Sequence, residues 1–183
     1  MSVLKKIAHQ SFFIFLLACS TVFFSAQTQV AREYQIKAVF LFNFAQFIEW
    51  PAASFRETDA IVIGVLGENP FGTYLDEAVR GEEVRGHPLV VQHYRQVEDV
   101  KACHILFINA TEMHQIKQVL ASLKSKSILT VSDATNFTKQ GGIIRFFTEN
   151  KKTRIRINLD AAKDANLTIS SKLLRLADIV GAK

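Results

Sequence analysis

The 183-residue chain is poor in cysteine, with two, in proline, with three, and in methionine, with two, and it has one tryptophan. Cys19 lies in an apolar N-terminal segment, which leaves Cys103 alone in the rest of the chain. One thiol closes no internal disulfide and builds no cysteine-based zinc site. No stretch interleaves basic and aromatic residues; Lys151-Lys152-Thr153-Arg154 has the composition of a solvated turn, and nucleic acid is not an expected partner. Gly64, Gly67 and Gly72 are spaced G-x-x-G-x-x-x-x-G, and neither a dinucleotide turn nor a P-loop lysine follows. His87, His93, His104 and His114 are scattered, without an H-E-x-x-H pairing, and no serine sits in a G-x-S-x-G elbow. The sequence offers no catalytic constellation, no metal set and no cofactor motif. His104, in an apolar run, reads as a satisfied interior histidine. Cys103 beside it reads as a buried, inert thiol, with an intermolecular or redox role as the alternative.

What is present begins with a different kind of segment. Lys5 and Lys6 precede a charge-free apolar run from Phe12 to Phe24, and Ser25-Ala26 then lead into Gln27-Thr28-Gln29. That is the layout of a secretory signal peptide, residues 1–26, with cleavage near Ala26. Lipidation at Cys19, after Leu16-Leu17-Ala18, and an uncleaved anchor are the alternatives, and each of the three exports the remainder. Loss of residues 1–26 leaves about 157 residues, one domain spanning 27–183. Its 20 basic and 17 acidic residues give a net charge of +3.

The domain is organised around Glu33 to Pro51, EYQIKAVFLFNFAQFIEWP. Five of the sixteen Phe and Trp residues fall within its eleven positions from 40 to 50. Ile36, Phe40, Phe44, Phe47 and Ile48 keep helical spacing, while Val39, Leu41 and Phe42 fill other faces, so a buried packing helix is expected. Lys37, Asn43, Gln46 and Glu49 interrupt it and argue against a membrane span. Pro51 is expected to hold Trp50 extended and to close the helix. Phe40, Asn43, Phe44, Phe47, Trp50 and Pro51 are the candidate core. Asn43 would need a loop partner for its amide. Trp50 reads as a core plug first and an exposed binding aromatic second.

Short apolar runs and helical segments then alternate. Ala60–Leu66 is a β-branched strand, and Phe71–Arg80 a helix after the turn at Asn69-Pro70. GEEVRG, Gly81 to Gly86, reads as a charged loop before a short strand at His87–Val91. Cys103–Ile108 is a third strand, Glu112–Lys124 a helix capped by Thr111, and Ile128–Val131 a fourth strand. Ser132-Asp133 is expected to cap a short helix containing Phe137. Ile143–Thr148 and Arg154–Leu159 pair as a hairpin, with Arg154, Arg156 and Asn158 on one face and Ile155, Ile157 and Leu159 on the other. Leu167–Val180 is expected to close the chain as an amphipathic helix capped near Ser170 and Ser171. The sum is an α/β layered domain: a mostly parallel central sheet flanked by helices, with a C-terminal antiparallel hairpin at one edge.

Two candidate sites follow. Arg154, Arg156 and Asn158 form a polar hairpin face suited to a partner protein. Gly67, Asn69, Phe71, Ser132 and Asp133 lie at carboxyl ends of expected strands, where open α/β sheets place ligands.

Taken together, the Asn43-to-Ala45 and Glu49-to-Pro51 pattern, IVIGVLGENPFG, ACHILFI, ILTVSD and the segment from Asn136 to Ala177 resemble the YfiR-like family of periplasmic proteins. The resemblance implies a non-enzymatic regulator that binds the periplasmic sensory domain of an inner-membrane diguanylate cyclase and represses it, lowering cyclic di-GMP signalling. It also implies an OmpA-like outer-membrane lipoprotein as a sequestering partner; a homodimer is the expected working form of such a repressor. The family's disulfide-based redox control does not carry over, because Cys103 matches one family cysteine and has no second. A small-ligand-binding periplasmic module without a cyclase partner is the alternative.

Overall fold

A computed structural model describes residues 29–110 and 113–181. The chain divides into two compact units, Met1–Tyr34 and Gln35–Lys183. Of the first, residues 29–34 are described and are helical. The readings placed on residues 1–26, Cys19 included, and on the cap at Thr111 lie outside the described residues.

The second unit opens with α1, residues 35–47. There follow β1 (Ile48–Glu49), β2 (Ile61–Gly67), α2 (Tyr74–Val79), β3 (Glu83–Val84), β4 (His87–Tyr94), β5 (Ile105–Asn109), α3 (Met113–Ser122), β6 (Leu129–Ser132), β7 (Ile144–Glu149) and β8 (Lys152–Asn158). The chain ends with α4 (Leu159–Asp164), β9 (Thr168–Ile169), α5 (Ser171–Leu174) and β10 (Ala177–Val180). Single 3-10 turns lie at Ala52–Phe55, Val97–Asp99 and Phe137–Gln140.

Eight strands form one sheet in the order β10-β8-β7-β6-β5-β2-β4-β3, and β1 pairs with β9 in a separate antiparallel ribbon. From β4 through β7 neighbouring strands are parallel; β8 runs antiparallel to β7, and β3 to β4. The architecture is the mostly parallel, helix-flanked sheet expected from the sequence. In β2, residues Ile61 to Leu66 are all buried, as a strand covered on both faces must be. One cover is α3, whose Ile116 packs with Leu66, Leu106, Ile108 and Phe137. The other includes α1: Phe44 stacks on Phe146 of β7 at 5.9 Å between ring centres, and Phe40 meets the same ring edge-on at 5.7 Å. The β7–β8 hairpin turns on Asn150 and Lys151, both left-handed with φ of 51° and 60°, which matches the right-handed twist of the strands it joins.

Several local expectations are corrected. The last segment is not one helix: Thr168-Ile169 pairs with β1, Ser170 caps a single turn, and Ala177–Val180 runs parallel to β8. Leu173, Leu174, Leu176 and Val180 have helical spacing, but the β-branched Ile179 and Val180 extend along a sheet edge instead. That strand also places β10, not the hairpin, at the sheet's end. Helix α1 stops at residue 47 rather than at Pro51, because Ile48 and Glu49 pair with Ile169 and Thr168. Nor is it buried all round, since Ile36 is 42% and Val39 52% exposed. GEEVRG contains β3, and β4 runs on to Tyr94. Ser132 caps no helix; the turn containing Phe137 starts at Asn136, in the left-handed region at φ 63°.

Gly64 has a packing reason. A Cβ there would lie 2.6 Å from the Tyr94 ring, 2.8 Å from Leu106 and 2.9 Å from Cys103 Sγ. Gly64→Ala is expected to destabilise the domain by about 1–3 kcal/mol through overpacking, measured by urea denaturation. An unchanged midpoint would show that the Tyr94 ring yields freely.

Candidate functional site

The hairpin face is built by the two-residue alternation of β8. Ile155 and Ile157 point into the core, which turns Arg154, Arg156 and Asn158 outward. Arg154 is exposed, with Nε 3.9 Å from a Glu149 carboxylate oxygen, a weak surface pair. Arg156 is half-buried: Nη2 donates to Asp178 Oδ2 at 3.1 Å, and its guanidinium lies 5.0 Å from the Phe147 ring centre. Asn158 is a structural joint. Its Oδ1 accepts from the Ala161 amide, capping α4, and its Nδ2 donates to the Thr138 carbonyl. The sequence reading missed what lies beside this face. Among the described residues, strand β10 leaves one backbone edge without a neighbour in the sheet, and Leu176 (65% exposed), Ile179 and Val180 are bared around it. An uncovered edge of this kind is a template for another chain.

The expected ligand residues do not assemble. Asn69 is held in its own turn, Oδ1 accepting from the Phe71 amide and Nδ2 donating to the Gly72 carbonyl. Phe71 is fully buried, 4.8 Å from Phe107 between ring centres. Ser132 is fully buried too, donating to the Ile108 carbonyl at 2.7 Å and accepting from the Ala134 amide. Asp133 takes the Lys37 ammonium at 2.7 Å, and Lys37 is only 3% exposed. Gly67 alone of the five lines a crevice of about 710 Å³. Of the candidate core, Phe44 is fully buried, whereas Phe40, Asn43, Phe47, Trp50 and Pro51 are half-buried. Asn43 therefore does not require the loop partner that a buried amide would.

Among the described residues, no group of His, Cys, Asp and Glu has the geometry to hold a metal ion, and no helix is long and apolar enough to cross a membrane. Comparison with known proteins gives the decisive observation: the model of a YfiR/HmsC-like family matches residues 34–178. The chain belongs to the YfiR/HmsC-like family. No curated protein matches it. A solved structure described as a conserved domain protein from Vibrio cholerae O1 biovar El Tor is 15% identical, with a TM-score of 0.45. It covers 64% of this chain, and the chain spans about half of that protein, 54%.

Within this YfiR/HmsC-like domain, Trp50 and His104 form a polar contact beside the sheet. Trp50 Nε1 donates to the His104 carbonyl at 3.1 Å, and the Val62 amide donates to His104 Nδ1 at 3.1 Å. Nδ1 is therefore the unprotonated nitrogen, and the proton sits on Nε2, which is buried without a hydrogen-bond partner among the described residues. Phe55 packs on the ring at 4.6 Å and stacks on His87 at 4.2 Å. Burial first, and the neighbouring His87 second, push His104 down to about 4; the Ser54 carbonyl, short of a hydrogen bond, offsets part of this. Cys103 is buried, and desolvation pushes its thiol up to about 12, which leaves it protonated and inert near neutral pH.

A histidine depressed in the folded state takes its proton first in the unfolded state. Stability is therefore full above the ordinary value near 6.5 and is lost as pH falls from there toward 4. The expected contribution to the slope is at most about 1.4 kcal/mol per pH unit. Urea denaturation between pH 7.5 and 4.5 should show it, and His104→Asn, which keeps an acceptor for the Val62 amide, should flatten it. Equal slopes in the two proteins would assign the acid sensitivity elsewhere.

Proposed function

We propose that the protein is an exported, non-enzymatic regulator that binds the periplasmic sensory domain of a membrane-bound diguanylate cyclase and holds it inactive. The family match over residues 34–178 carries this reading, since the family is regulatory rather than catalytic. The basic start and apolar run of residues 1–26 support export to the periplasm, with 27–183 as the working domain. An OmpA-like lipoprotein that sequesters the repressor, and a homodimeric repressor, complete the proposed circuit. A small-ligand-binding module is the second reading, favoured by the crevice beside Gly67.

Repression of this kind needs only unequal affinity for two states of the cyclase. Moving an equilibrium from 1:99 to 99:1 requires a preference of about 10⁴-fold, roughly 5.5 kcal/mol. The hairpin end of the sheet has the chemistry for such a contact: an exposed Arg154 only weakly paired with Glu149, an Arg156 tied to Asp178, and the apolar edge of Leu176, Ile179 and Val180. Apolar anchors give affinity and flanking charges set approach and register.

The double variant Arg154→Glu, Arg156→Glu is expected to weaken cyclase-domain binding about tenfold or more with an unchanged circular dichroism spectrum. Unchanged affinity would remove these two residues from the interface. In cells, deletion of the gene is expected to raise cyclic di-GMP, reversed by the full-length chain and not by residues 27–183 expressed without the leader. A level that stays flat across growth conditions would overturn the cyclase reading.

A further inference from the structure

In the order β4-β2-β5-β6-β7, the chain leaves β2 to one side for β4, then crosses back over β2 to enter β5. At the carboxyl ends of β2 and β5 the connections therefore diverge, leaving the kind of gap in which open α/β sheets hold ligands. A crevice of about 710 Å³ lies there, walled by the ends of both strands, one face of α3 and the 95–98 segment. Its volume suits a small molecule. The two strand ends are held at contact distance. Asn109 Nδ2 donates to the Glu68 carbonyl at 2.7 Å, and a Cβ on Gly67, left-handed at φ 94°, would lie 2.7 Å from the Asn109 carbonyl oxygen. Gly67 is thus fixed by the shape of the crevice wall rather than by a phosphate.

The chemistry of the lining is mixed in a specific way. Val97 and Val119 supply apolar surface beside the almost fully buried Leu66, and Gln115 and Gln118 supply amides. Arg95 is exposed and makes no ion pair among the described residues. Glu98 lines the same crevice, so the site carries one positive and one negative side chain. That balance disfavours phosphates and dicarboxylates while leaving a guanidinium for a single carboxylate. We propose that this crevice binds a small organic monocarboxylate, its anion on Arg95 and the glutamine amides, its apolar body against Val97 and Val119. The proposal stands independently of the cyclase reading.

Thermal unfolding of the purified protein, at constant ionic strength, tests it with benzoate and pyruvate as probes and uncharged benzamide as control, each at about 20 mM. At least one carboxylate is expected to raise Tm by several degrees through mass action, and benzamide not to. Arg95→Ala and Gln118→Trp, both at exposed positions, should each abolish the gain without lowering the Tm of the ligand-free protein. Amide resonances of Gly67 and Asn109 should move on titration with the stabilising carboxylate. No shift with either carboxylate, an equal shift with benzamide, or a gain that survives both variants would overturn the assignment.

Discussion

A run without polar side chains on either face has to be covered twice, and residues 61–66 of β2 and 105–108 of β5 impose that demand on the whole domain. Helix α3 covers one face and α1 helps to cover the other, so the N-terminal helix is a wall of the core rather than an appendage. Large side chains removed from water contribute roughly 1.5–3 kcal/mol each. Phe44, Phe71, Phe107 and Phe146, all fully buried, concentrate that contribution around β5 and β7. Polar contacts then fix how α1 is seated: Lys37 reaches Asp133, and Arg85 donates to the Gln46 and Ile48 carbonyls at the helix end. A cation at a helix C-terminus also meets the favourable end of its dipole.

The two ends of the sheet are finished in opposite ways. At one, β3 is two residues long, follows Glu82, and pairs with a strand containing Pro88, all features that discourage further pairing. At the other, β10 has no proline, and its single charge, Asp178, is engaged by Arg156. The asymmetry distinguishes the two ends: β3 covers only His87 and Pro88 of β4, whereas β10 lies along four residues of β8 and presents an apolar edge. The perturbed groups, His104, Tyr94 and Cys103, owe their shifts first to burial.

Where the sequence spoke through periodicity, it was legible. Continuous β-branched runs marked β2, β5 and β6, and the alternation from Arg154 to Asn158 marked β8 with its faces correctly assigned. Two signals misled for physical reasons. A helical spacing of leucines near the C-terminus could not reveal that β8 offers Ile179 and Val180 a partner strand more than twenty positions away. Likewise, Lys37 looked like a break in an apolar helix, because its partner Asp133 lies 96 positions on. The ligand residues failed similarly. Being at a strand's carboxyl end was visible for Gly67 and Ser132 alike, but only the order of the strands shows that the connections leaving β2 and β5 diverge there while Ser132 sits under close packing. Arg95, Gln115 and Gln118 carried no local motif that could have joined them to Gly67.

The small ribbon of β1 and β9 has a consequence for how the chain comes to be folded. It joins Ile48 to Ile169 and Glu49 to Thr168, near the two extremes of the domain. Closing a loop of that length is entropically slow, and contacts so distant along the chain cannot form until almost the last residue is available. The start of the domain must therefore wait for its end. An unfinished chain lacks the contact that ends α1 and turns it into β1.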